Sequence, residues 1–138
     1  MITTEGFNYL LNAGLKGASR YTTWYVVPFE GNYTPSAAET AALFPANATE
    51  TTAYQGLTRA PVSLGAVAGG SVDNASALAE LVFTADKTVY GAAVMSSSDK
   101  GSTTGVLLAV ERFSEPRVIK AGTKLQLLVD LDLIQPAP

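Results

Sequence analysis

The chain of 138 residues contains no cysteine and no histidine. Without cysteine there are no disulfides, no zinc–thiolate or iron–sulfur ligation and no thiol nucleophile. Without histidine there is no His-based triad, no imidazole metal ligand and no ordinary general base near neutral pH. Carboxylates, lysines, tyrosines and hydroxyls remain, so the composition points away from most enzyme classes, and no cofactor or metal is expected. Charge is also scarce. Asp, Glu, Lys and Arg make up 15% of the chain, against roughly 25% in an average soluble domain. The net charge is -3 and the sequence pI about 4.8, with no cluster of Lys or Arg. A basic face for nucleic acid is therefore not expected. No stretch approaches the ~18 uninterrupted apolar residues of a membrane span, so no membrane partner is expected. The opening Met1-Ile2-Thr3-Thr4-Glu5 has neither the basic start nor the following apolar run of a signal peptide, and synthesis in a cytoplasm is expected.

What the chain does have is small residues. Hydrophobic residues reach 47%, with alanine the commonest residue and threonine, serine and glycine abundant. That much apolar content with little net charge argues against disorder. The length suits one domain, 1–138, with a single sizeable core. A weakly charged, Thr/Ala-rich surface suits a protein that buries part of itself against partners.

Residues 3–16 read as an amphipathic helix, with Phe7, Leu10, Leu11 and Leu15 on one face. Thr3 or Thr4 can cap it, and Gly17 closes an N-terminal helical unit over 1–17. The stripe is expected either to cover an open end of a sheet or to face a partner. Residues 21–29, Tyr-Thr-Thr-Trp-Tyr-Val-Val-Pro-Phe, read as a strand with an aromatic on each face, so that both faces are covered. Pro28 predicts that this strand lies at an edge or ends there. Residues 30–60 form an irregular excursion. A short helix is expected at 37–43, opened by the Ser36-x-x-Glu39 capping pattern and ended by Pro45. Long excursions in compact domains are functional or loosely ordered.

From residue 61 the pattern is β. Strands are expected at 62–67, 77–84, 88–96 and 106–113, with a loop at 69–74 and a flexible polar loop at 97–105. Ser114-Glu115-Pro116-Arg117 breaks the chain before a short strand at Val118-Ile119. Leu125, Leu127, Val129, Leu131 and Leu133 then alternate with mainly polar residues, which predicts one long strand with a single buried face. Short strands between turn signals indicate a mainly β fold, a jelly-roll-like antiparallel β-sandwich with an N-terminal α-helix.

Few residues offer chemistry. Asp130 and Asp132 project from one strand face, but a solvated face explains them without a metal. Glu80 and Glu111 could pair with Arg112 or Arg117 across a sheet, a structural arrangement of small energetic value when exposed. Asp99-Lys100-Gly101-Ser102 has the wrong residue order and context for a phosphate loop. Trp24 with nearby tyrosines could form a sugar-binding face, although Trp24 also reads as core.

Three stretches carry a resemblance. The first is Glu5-Gly6-x-Asn8-Tyr9-Leu10-Leu11 followed by Thr22-Thr23-Trp24-Tyr25-Val26. The second is Val89-Tyr90-Gly91-Ala92 leading through Ser96-Ser97-Ser98-x-Lys100-Gly101 to Gly105-Val106-Leu107-Leu108-Ala109. The third is Arg112-Phe113-Ser114-x-Pro116-Arg117 with Ala121-Gly122-x-x-Leu125. Together they resemble the small cement, or decoration, proteins of tailed bacteriophages. The resemblance spans most of the chain outside residues 30–75. It implies a jelly-roll β-sandwich on the outer surface of the virion capsid, a homodimer that bridges neighbouring major capsid protein subunits, and synthesis in the host cytoplasm. It transfers no catalytic or contact residues. The competing expectation is a tail- or fibre-associated module that binds a host-surface glycan. For partner contact, the residues expected from the chain itself are Tyr33, Phe44, Tyr54 and Arg59, because aromatics and arginine are enriched at interface hot spots. The alternative is that the three aromatics pin the excursion to the core.

Overall fold

The structure, a computed structural model, describes residues 1–133. It is mainly β, antiparallel throughout, with one substantial helix at its N-terminus. Helix α1 spans Thr4–Leu15. Strand β1 (Trp24–Phe29) follows, then the one-turn helix α2 (Phe44–Asn47) and strands β2 (Ala60–Val62), β3 (Ser71–Asp73), β4 (Ala79–Val82) and β5 (Lys87–Met95). The chain continues through β6 (Leu107–Ile119), β7 (Lys124–Leu127) and β8 (Asp130–Asp132). A four-stranded sheet runs β2-β1-β5-β6, and β3–β8 and β4–β7 form two-stranded ribbons. The pairs β3–β8, β4–β7 and β5–β6 are nested, as in a long hairpin folded over on itself.

Both faces of the main sheet are covered, as the aromatics on the two sides of β1 predict. Val26, Val94, Leu108 and Ala109 meet Leu81, Leu125, Leu127 and Val129 of the ribbon side. On the opposite face, Val27, Phe29, Met95, Leu107 and Val110 are covered by Ala41, Phe44 and Ala48 of the excursion. Gly91 makes room in this second core, because a side chain there would strike the Phe29 ring.

Several boundaries differ from expectation for local reasons. β1 is an interior strand, not an edge. β2 pairs with it only from Trp24 to Val26, so the missing N–H of Pro28 breaks no ladder; its carbonyl accepts from Thr51 N at 3.0 Å. The expected helix at 37–43 is displaced to α2, where Pro45 sits in the first turn instead of ending the helix. A proline is tolerated there because the first helical N–H groups have no intrahelical acceptor. Ser36 Oγ accepts from Ala38 N, while Glu39 turns inward. The segment at 69–74 is not simply a loop: it turns at Gly69 and Gly70, both at positive φ, and forms β3. The strand expected at 62–67 ends at Val62.

β6 continues through the expected break. Its pairing with β5 runs from Leu107 to Arg112 and resumes at Arg117, with the intervening residues bulged out around Tyr90. The long final strand is split into β7 and β8, which take different partners. Buried Asn74 bridges the split: its Oδ1 accepts from Val129 N at 2.7 Å and its Nδ2 donates to Leu127 O at 3.2 Å. Burial still alternates through Leu125, Leu127 and Val129, while Asp130 and Asp132 face solvent.

Candidate functional site

The four residues expected at a partner surface lie elsewhere. Phe44, Tyr54 and Arg59 are buried and Tyr33 is half-buried, so the expectation that they face a partner is corrected. Tyr33 and Phe44 pack edge-on against each other and against Phe29. The Tyr33 hydroxyl donates to Glu39 Oε2 at 2.8 Å. Burial, with the hydrogen bond to Glu39 and its charge adding, pushes the Tyr33 hydroxyl up to about 12.

Arg59 is fully buried, at 0% exposure, and Glu50 beside it keeps 2% of its side chain exposed. Arg59 Nε and Nη2 grip the two Glu50 oxygens at 2.9 and 2.7 Å. Nη1 donates to Ser97 O and Oγ, and Nη2 also donates to Ser102 O. All five guanidinium N–H donors are thereby used, which is what makes a buried arginine tolerable. Lys100 reaches the other way. Its ammonium donates to the carbonyls of Thr52, Tyr54 and Gly56 and lies 3.9 Å above the Tyr54 ring. Burial draws the Lys100 pKa down, with the Glu50 charge opposing. Burial raises that of Tyr54, the Glu50 charge adding and Arg59 opposing. The polar loop at 97–105, expected to be flexible, is thus tied to the excursion from both sides.

The sheet ion pairs also differ from expectation. Glu80 pairs with Lys124 at 3.2 Å, because the β4–β7 register places them diagonally. Arg112 donates to Tyr33 O and Asn32 Oδ1. Among the described residues, no three carboxylates gather as a metal site would require.

The surface that does present apolar side chains is the outer face of α1. Thr3 caps the helix, accepting from Gly6 N at 2.9 Å while its hydroxyl donates to Leu107 O at 2.5 Å. Glu5 Oε2 accepts from Ala41 N at 2.9 Å and Leu107 N at 2.7 Å, locking helix, excursion and β6 together. Gly6 lies directly against β6, where any side chain would run into the Leu108 carbonyl. Seating the helix on its small-residue face turns the large residues outward. Leu15, nine residues on, is about half a turn away from Gly6. Phe7, Leu11 and Leu15 consequently stand 44%, 55% and 80% exposed, and only Leu10 of the expected stripe packs inward. Sequence periodicity found this stripe, but it gave no direction for it. The signal for direction was Gly6 within a helix, which marks a close approach rather than a weak propensity.

No described helix is long and apolar enough to cross a membrane. No known family profile and no curated protein matches the chain.

Proposed function

We propose that this chain is a cement protein of a tailed-bacteriophage head, which binds the outside of the capsid as a homodimer and bridges neighbouring major capsid protein subunits. The observation that carries the reading is the row Phe7, Leu11 and Leu15, held outward on a helix that Thr3, Glu5 and Gly6 fix to the sheet. An exposed apolar row on a rigid scaffold is a contact surface. The sparse charge around it lowers the desolvation cost of burying it. The nested hairpins support the jelly-roll-like fold that accompanies this reading.

The mechanism is linkage. A protein that binds only the assembled shell stabilises that state by mass action. Many copies on one lattice add avidity without strong individual sites. No reactive group is required, and the sealed Arg59–Glu50 pair serves rigidity.

The test is addition of purified protein to heads that lack it, with occupancy read by sedimentation and head survival read under heat. Wild-type protein saturates the lattice and raises the survival temperature. The double variant Leu11→Lys/Leu15→Lys binds at least about tenfold more weakly, since each buried leucine contributes about 1.5–3 kcal/mol. Full occupancy by the double variant refutes the surface, and no wild-type binding refutes the reading.

A further inference from the structure

A second feature stands apart from the α1 row and from any capsid role. Tyr9, Tyr21 and Trp24 form a closed aromatic triad. Trp24 meets Tyr9 edge-on at 5.3 Å between centroids and Tyr21 edge-on at 5.9 Å. Tyr9 and Tyr21 lie 5.6 Å apart, and the Tyr9 hydroxyl accepts from Tyr21 N at 2.8 Å. Tyr21 is therefore held in place while remaining 44% exposed. Two shallow depressions meet at it. One, of about 490 Å³, is lined by Glu5, Asn8, Tyr9, Asn12 and Arg20. The other, of about 400 Å³, is lined by Ser96, Ser97, Ser98, Asp99, Ser102 and Thr104.

We propose that these depressions form one groove that binds a neutral saccharide, with a sugar ring against Tyr21 and hydroxyls held by Asn8, Asn12, Asp99 and the serine loop. Three observations select this ligand class. First, an exposed, buttressed tyrosine offers a ring face to the C–H side of a pyranose, apolar on the face and polar at the rim. Second, sugar hydroxyls donate and accept, and so do the asparagine amides and the serine and threonine hydroxyls that line both sides. Third, positive charge is not in excess: Arg20 is the one cation among the lining residues, against Asp99 in the second depression and Glu5, whose Oε2 is engaged by two backbone N–H groups. That balance disfavours a phosphate, which needs excess positive charge, and disfavours single-stranded nucleic acid, which needs a basic track beside the aromatics. Each depression lies within the roughly 300–1,000 Å³ of small-molecule sites. Packing alone accounts for Tyr9 and Trp24, but not for hydroxyl- and amide-lined hollows on both flanks of an exposed ring.

The site carries its own probe, since Trp24 is the only tryptophan and touches both tyrosines. The isolated protein, without capsids, is titrated with glucose, galactose, mannose, N-acetylglucosamine and their disaccharides while Trp24 emission is followed. The proposal predicts a saturable change with at least one of them. It is retained in Tyr21→Phe, which keeps the ring, and lost in Tyr21→Ala. Because Tyr21→Ala also strips packing from Trp24, Asn12→Ala and Asp99→Ala carry the test independently. Both residues are exposed, and each variant weakens binding about tenfold by loss of a hydrogen bond, one of them charge-assisted. No saturable change with any saccharide overturns the proposal, as does binding that survives Tyr21→Ala or is untouched by both flanking variants. None of these outcomes bears on capsid binding, which is read on heads through Leu11 and Leu15.

Discussion

The excursion at 30–60 and helix α1 invert each other. The excursion has little regular structure, yet it buries Phe44, Tyr54 and a complete arginine–glutamate pair. The helix is regular and amphipathic, yet it exposes most of its apolar stripe. Regularity and burial are therefore separate properties in this molecule. A segment without a backbone ladder needs side-chain anchors to be ordered, and the excursion has them in Glu50, Arg59 and the carbonyls that Lys100 caps. A helix satisfies its own backbone and is free to present its larger side chains outward once small residues seat it.

The strongest way to break the comparison is at the anchor. Arg59→Met leaves Glu50 buried without its partner and should cost about 3–5 kcal/mol, read by chemical denaturation. Adding Glu50→Gln should restore part of that loss, since the two sites share one network. Additive losses would show that the pair is not one unit.

On the helix, two glycines give opposite signs for one substitution. Gly6→Ala drives a methyl into the Leu108 carbonyl and should destabilise by about 1–3 kcal/mol. Gly14 has open space around it, so Gly14→Ala should stabilise by up to about 1 kcal/mol through helix propensity. Equal effects in thermal melts would mean that the helix is not seated as described.

The excursion should also respond to alkali. The folded-state pKa of Tyr33 is raised to about 12, so the folded protein holds that proton more tightly than the unfolded chain, whose tyrosines titrate near ~10. Stability from this group is complete below about pH 10 and is lost as the pH rises from there through about 12. Tyr33→Phe should flatten that arm of the stability–pH curve. The smallest effect belongs to the outer helix face: Leu15→Lys should shift stability by no more than about 0.5 kcal/mol.

These contrasts explain what was legible in the chain. The limits of α1, the two-sided burial of β1 and the alternation at Leu125, Leu127 and Val129 are local patterns, and local patterns survive folding. The inward turn of Arg59 depends on Ser97 and Ser102, and the split of the last strand depends on Asn74, more than fifty residues earlier. Periodicity carries no information about such distant partners. The candidate contact row was visible as a stripe, but its outward direction required the Gly6–Leu108 approach. The Tyr21 groove was half visible, as a tryptophan with tyrosines near it, and its serine flank comes from a loop that only the fold brings alongside.

The Arg59 clamp also sets an order of events. Its partners Ser97 and Ser102 lie 38 and 43 residues further along, so on a growing chain Glu50 and Arg59 emerge well before the loop that completes their bonding. Until β5 and β6 have paired, both charges keep their water, and the aromatic layer of the excursion has only a partial sheet to rest on. Closing such long loops costs entropy before any contact offsets it. The Arg59 clamp consequently shuts only when the 97–105 loop arrives.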